Sequence, residues 1–255
     1  MCRKRRERRE AKAGGASVVR AAKRWRHRAR LGYAREMSRR LRWYFDYLSP
    51  YAYLASTQLP ALAARHGLEV EANPVLFAAM LASTGSRGPA EVPARRAYMV
   101  HDITRLARAL GVPIAPPATH PFNPLAALRV TWAVPAKERW RLIEALYRAT
   151  WVDARRVDDA QVVAAVASEC GFDGEALLAR AASDEVKTRL REVTDAVIGQ
   201  GAFGVPTMTV DDQLFWGVDS LPLLERYLAD HQALDAAELA RWRAIVPSAV
   251  RRTKA

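Results

Sequence analysis

Alternation of apolar and polar residues marks a half-buried strand, and in this chain it appears near residue 43, near residue 70 and again only after residue 199. Trp43, Phe45 and Tyr47 share one face of an extended run, and "LEVEANPV" sets Leu68, Val70 and Ala72 against Glu69 and Glu71. Far downstream, "VPTMTV", an Asp211-Asp212 turn and "QLFWG" read as a β-hairpin. Everything between follows a helical period. Short strands at either end cannot hold a sheet separately, so the two ends must meet and the helices become an insertion.

The first helix is expected over residues 50–66, opened by Ser49-Pro50, bent or broken at Pro60 and closed by Gly67. "ASTGSRGPAEVPA" reads as a loop of the kind that carries ligand contacts. Met99, Ile103, Leu106 and Leu110 then form one helical face, followed by the proline-rich link "VPIAPPATHPFNP". Helices are expected at 125–134 and 137–151, the second presenting Trp140, Ile143, Tyr147 and Trp151. Asp158 is expected to cap a helix at 160–170, and Asp184 one carrying Val186, Leu190, Val193 and Val197. A last helix, from Asp219, turns Leu221, Leu224 and Leu228 inward. The expected organisation is a basic extension over 1–40, a sheet-bearing part at 41–80 plus 198–230, a helical insertion at 81–197, and a C-terminal helix with a basic tail at 231–255.

The formal charge of +13 suggests an anionic partner until its location is considered. Residues 1–42 hold 17 of the 40 Lys and Arg but 3 of the 27 Asp and Glu, so the remainder is nearly neutral. A nucleic-acid or membrane arm is one reading of this extension. A transit peptide is another, but "RKRRERRE" carries acids and lacks an amphipathic face. The favoured reading is that translation begins at Met37, so nucleic acid is expected as a partner only through the extension, if it exists. No 18-residue apolar run occurs, so a cytoplasmic protein without a membrane partner is expected. Two cysteines, Cys2 and Cys170, form no CxxC, and His27, His66, His101, His120 and His231 show no ligand spacing, so no metal is expected.

Three segments, "YFDYLSPYAYLA", "GAFGVPTMTV" and "LFWGVDSLPLLE", with "PARRAYMVHDITRLARALGVP" between them, carry a family likeness. Together they resemble the 2-hydroxychromene-2-carboxylate isomerases and their relatives, the kappa-class glutathione transferases, over roughly residues 41–230. The resemblance implies an α/β, thioredoxin-like fold with an inserted all-helical domain, as in DsbA. DsbA-type oxidoreductases have CxxC where this chain has Ser49-Pro50-Tyr51-Ala52, which excludes dithiol exchange by the protein at that site.

Alone, Ser49 is an ordinary N-cap. The resemblance implies that glutathione brings the sulfur and that Ser49 donates a hydrogen bond to its thiolate. A free thiol, with a pKa of about 8.5, is only slightly ionised at neutral pH, and a hydroxyl donor and a helix N-terminus both favour the anion. A nucleophilic serine would need a nearby base, and His66 falls at the far end of the helix. Val205-Pro206 is implied to be a cis bond, with Val205 pairing main chain to main chain with the cysteinyl unit. Val218 and Asp219 are implied to hold the γ-glutamyl end, and Tyr51 and Ser86 to contribute to the same cofactor site. Two positions depart from the family pattern. Ser220 stands where an arginine is frequent, and Ser86 where kappa-class members carry an asparagine.

Candidates for the second substrate are Arg95, Arg96, Tyr98, Asp102 and Asn123, with Tyr47, Tyr51 and Tyr53 available to stack on an aromatic ring. The implied activity is conversion of a 2-hydroxychromene-2-carboxylate to its benzylidenepyruvate isomer by reversible addition of the thiolate, with glutathione as a recycled cofactor. A glutathione transferase, joining the same thiolate permanently to an electrophile, is the enzyme alternative. A binding protein that lost the chemistry, working through glutathione or its basic extension, is the other. The expected partners are a small aromatic substrate and, as one option, a second copy of the chain.

Overall fold

Strand β1 (Leu41–Phe45) is enclosed on both faces, with only Arg42 exposed, and the rest of the fold is arranged around it. In this computed structural model the described residues are 40–231, 234–246 and 248–249. The expected basic extension, the start at Met37 and most of the basic C-terminal end lie outside them.

Strand β1 pairs in parallel with β2 (Val70–Pro74) and antiparallel with β3 (Thr207–Val210), which pairs with β4 (Gln213–Trp216). The order is β2-β1-β3-β4, so the two ends of the sequence meet in one sheet. The register sets Tyr44 opposite Thr207, and Thr207 opposite Trp216. At the hairpin, Asp211 and Asp212 both take positive φ, as a two-residue turn matched to strand twist requires.

Helix α1 (Pro50–Arg65) follows β1 after a four-residue turn. It runs continuously through Pro60, so of the expected bend or break the break does not occur. The expected loop from Ala82 begins later, because α2 (Phe77–Thr84) continues to Thr84 and ends on a left-handed Gly85. The insertion then comprises α3 (Pro93–Leu110), α4 (Leu125–Ala133), α5 (Arg139–Trp151), α6 (Ala160–Glu169), α7 (Gly174–Ala181) and α8 (Asp184–Gly199). Helix α7, capped by Asp173, is an element the apolar spacing did not suggest. Two expected caps move by one residue: Asp159 caps α6 and Ser183 caps α8, while Asp158 pairs with Arg156.

One core joins Trp43, Phe45 and Tyr47 to Leu54 and Leu59 of α1 and to Tyr147 of α5. Trp43 and Phe45 stack with ring centres 4.2 Å apart, and Tyr47 meets Tyr147 at 4.8 Å. Tyr47 therefore belongs to the core beyond the strand end. A second cluster joins Tyr44 to Met80 of α2, Val197 of α8 and Val205. Helix α9 (Leu221–Asp230) buries Leu221, Leu224 and Leu228, as their spacing predicts, and α10 (Ala236–Arg243) follows it. Among the described residues no helix is long and apolar enough to cross a membrane.

Candidate active site

Ser49 stands in extended backbone before Pro50, so its side chain can reach back over the first turn of α1. Its Oγ accepts the Ala52 N–H at 3.2 Å and donates to the Val205 carbonyl at 3.4 Å. The first contact is the cap. The second joins residues 156 positions apart, bringing the β1–α1 turn against the Val205-Pro206 bond, which is cis. The donation to Val205 is long, so the hydroxyl is held weakly on that side. Among the described residues, neither the Tyr51 N–H nor the Val205 N–H has a main-chain acceptor. Two unused donors and a hydroxyl therefore lie beside the positive end of a 16-residue helix.

Gly217 follows β4 with φ +89°, and its N–H donates to the Pro206 carbonyl at 2.9 Å. A side chain at this position would strike the Asp219 carboxylate, which folds back over it. Val218, Asp219 and Ser220 form a 3-10 turn ahead of α9. The last helix, expected from Asp219, therefore starts at Leu221 and has no side-chain cap. Asp219 is exposed and its charge is felt at the Tyr51 hydroxyl, so this turn faces the first turn of α1.

Tyr51 connects this group to the insertion. Its hydroxyl donates to Asp102 Oδ2 on α3 at 2.9 Å. Burial raises the Tyr51 pKa first, then the bond to Asp102 and the nearby Asp102, Tyr98 and Asp219. Tyr53 is buried and its hydroxyl donates to the Pro113 carbonyl at 2.6 Å, while Tyr47 is fully enclosed, its hydroxyl 2.7 Å from Thr131 Oγ1. Neither is free to stack on a ligand ring. Ser86 is exposed beyond α2 and accepts from the Thr84 hydroxyl. Arg95, Arg96 and Tyr98 are exposed on α3. Asn123 is also exposed, but its Oδ1 accepts the Leu125 N–H and starts α4, a local role.

Two residues near this turn were not among the expected site residues. His120, from the proline-rich link, places Nε2 3.0 Å from the Leu48 carbonyl. A carbonyl only accepts, so Nε2 carries the hydrogen. Burial lowers the His120 pKa, the Leu48 carbonyl opposes and Arg96 adds to the lowering. Its partner is Leu48 rather than Ser49, whose hydroxyl is turned to Val205, so the arrangement of a base-activated serine is absent among the described residues. The second is Asp46, almost completely buried, whose two carboxylate oxygens accept the Leu48 and Phe77 N–H groups at 3.0 Å each. Burial pushes its pKa up to about 6 against the pull of those two bonds. An acid inside the aromatic run "WYFDYLS" was the signal available for it.

An open cleft of about 570 Å³ is lined elsewhere, by Trp132, Arg139, Asp184, Arg189 and Glu192 among others. It shares no residue with the Ser49 group. Arg139 there donates to the carbonyls of Thr131, Ala72 and Val134, and its guanidinium covers the Trp132 ring at 4.4 Å, so it fastens α4 to β2. Among the described residues no group of three or more His, Cys, Asp or Glu could hold a metal ion.

Comparison with known proteins places the chain in a family. The DSBA-like thioredoxin domain matches residues 40–229. A 2-hydroxychromene-2-carboxylate isomerase of Sphingobium xenophagum is 33% identical over 201 residues, covering 76% of this chain and 100% of the relative. Human glutathione S-transferase kappa 1 is 27% identical over 222 residues, covering 81% of this chain and 94% of that one. Among solved structures, a 2-hydroxychromene-2-carboxylate isomerase superposes with a TM-score of 0.68 at 27% identity, over 80% of this chain and 97% of the other.

Proposed function

This chain belongs to the DSBA-like thioredoxin domain family, and we propose that within it the protein works as a glutathione-dependent isomerase of 2-hydroxychromene-2-carboxylate-type substrates. Its relatives are isomerases and glutathione transferases, and the higher identity is to an isomerase. The observation that carries the reading is the position of the Ser49 hydroxyl, between the unfilled first turn of α1 and the carbonyl before a cis proline.

The residues present fit glutathione. The Val205 N–H is free to pair with a peptide-like ligand, the exposed Asp219 carboxylate suits an ammonium, and the main-chain N–H groups of Val218 and Asp219 suit a carboxylate. When bound, glutathione supplies a thiolate that adds reversibly to a conjugated alkene, so that the former double bond rotates before sulfur leaves.

Ser49 Oγ, whose hydrogen makes only a long contact with the Val205 carbonyl, would hold the glutathione sulfur by donating to it. The α1 terminus would add a field that favours the thiolate of a bound glutathione. Tyr51, held by Asp102, fixes the wall between α1 and α3, while Arg95, Arg96 and Tyr98 on α3 are available to a substrate carboxylate and ring.

The test is to incubate the protein with glutathione and a hydroxychromene carboxylate and follow isomer and free thiol together. Isomer formed without loss of thiol supports the reading. Loss of thiol equal to turnover replaces it with a transferase. Neither change leaves a binding protein.

A further inference from the structure

We propose that Asp46 is a positioning residue: its buried carboxylate sets the orientation of Ser49 and ties that turn to α2 and the Ser86 loop. The proposal rests on the reading that Ser49 faces the reacting sulfur. Four bonds converge on this residue. Oδ1 accepts the Leu48 N–H and Oδ2 accepts the Phe77 N–H at the start of α2, each at 3.0 Å. Its carbonyl accepts the Ser49 N–H at 3.0 Å and the Tyr147 hydroxyl at 3.2 Å. One side chain therefore closes the two-residue turn before the serine, while the same residue's main chain holds the serine itself.

The second tie reaches further. Phe77 opens an eight-residue helix that ends at Thr84, whose hydroxyl donates to Ser86. The serine at the sulfur position and the loop carrying Ser86 are thus referred to the same carboxylate. Only an ionised carboxylate can accept on both oxygens freely, since a protonated carboxyl turns one of them into a donor. Protonation must then weaken either the Leu48 bond or the Phe77 bond, because a hydroxyl oxygen is a poorer acceptor than a carboxylate oxygen.

No Lys, Arg or His side chain pairs with Asp46 among the described residues. The ionisable side chains that feel its charge are Tyr47 and Tyr147, whose hydroxyls burial holds above the usual phenol range and so neutral. Burial of the carboxyl itself brings its titration up to about 6, within reach of ordinary assay conditions. The sign follows. Above that pH both ties are charge-assisted and the serine is held in place; as pH falls through it, one tie weakens.

Two measurements decide the matter. In the first, carboxyl-labelled aspartate and amide spectra of the unmodified protein are followed between about pH 4.5 and 7.5. The Leu48 and Phe77 amides should titrate with the Asp46 carboxyl, and so should the Ala52 amide, which reports the Ser49 hydroxyl through its 3.2 Å bond. An Ala52 amide indifferent to that titration overturns the proposal, whether or not the protein turns out to be an isomerase. In the second, turnover at saturating glutathione is compared in the unmodified protein and in Asp46→Asn. Protonation of Asp46, added to that of the sulfur, should make log turnover against pH steeper than unit slope as pH falls through about 6 in the unmodified protein. The asparagine variant should show a slope of one, with turnover above pH 7 lowered on the order of tenfold for the lost charge-assisted bond. Equal slopes refute the proposal. If the variant does not fold, the spectra of the unmodified protein still decide.

Discussion

Replacing Ser49 with alanine separates a cap from a catalytic donor, because the structure assigns each a different size. The Oγ cap on the Ala52 N–H is well formed at 3.2 Å, and its loss should cost about 1 kcal/mol. The bond to the Val205 carbonyl, at 3.4 Å, is too long to add more than a few tenths. Ser49 is 6% exposed and alanine nearly fills its space, so no cavity penalty is due. For a folded region of this size that is a fall in melting temperature of about 2–4 °C. Turnover should fall far more, about 10²-fold, because the lost group is a donor to a reacting anion. That factor is about 2.7 kcal/mol, more than twice the loss in stability. Calorimetric melting, glutathione titration and initial rates on one preparation give all three numbers. A melting shift of the expected size with turnover reduced less than about threefold would mean Ser49 is a cap and nothing else.

Three further outcomes follow from named contacts. Ser49→Cys should fold and carry a thiol with a pKa below the ordinary value of about 8.5, set by the α1 terminus; an ordinary or raised value by rate-versus-pH alkylation would show that the Asp46 charge outweighs the helix. Asp46 should make stability fall as pH rises from about 4 to about 6, because its folded pKa is raised and the native state holds a proton that the unfolded chain has released. The size is up to about 3 kcal/mol, read as the difference in urea unfolding between the unmodified protein and Asp46→Asn at pH 4.5 and 7; a pH-independent difference removes the assignment. Tyr51→Phe should lower stability by about 1 kcal/mol, since Asp102 is half-exposed and regains water when its donor is lost. Unchanged proteolysis at α3 in that variant would show that the tie does not hold the helix.

Local chemistry made much of this fold legible. Ser49-Pro50 opens a helix, Asp211-Asp212 turns a hairpin, and Leu221, Leu224 and Leu228 face inward because each depends on near neighbours. The meeting of the two chain ends was legible by elimination, since neither had enough strands alone. What failed was of two kinds. Cap positions slipped where adjacent residues compete for one N-terminus: Asp158 beside Asp159, and Ser183 beside Asp184. The side chains closing the site were read from type alone. Tyr47 and Tyr53 looked like ring-stacking candidates until Thr131 and the Pro113 carbonyl claimed their hydroxyls from 84 and 60 residues away. His120 looked scattered because its partner, Leu48, lies 72 positions back and offers only a carbonyl.

Asp46 shows why such residues escape a reading by pattern. A carboxyl held near 6 rather than near 3.8 costs the folded state about 3 kcal/mol at neutral pH. Every local preference argues against it, as it follows three consecutive core residues at the end of a buried strand. A neutral amide could take up one of its two N–H partners but would present its own N–H to the other. Two amides from different elements, pointing into one dry space, need an acceptor with two free oxygens, and a short carboxylate meets that need at this position. The electrostatic consequence runs against the chemistry proposed for Ser49, because a buried negative charge close to the turn disfavours a thiolate. The site must therefore lower the thiol pKa with the α1 terminus and the serine hydroxyl against that opposing charge. The geometry of the turn is kept at the expense of some of the field, and the Ser49→Cys thiol measures the balance.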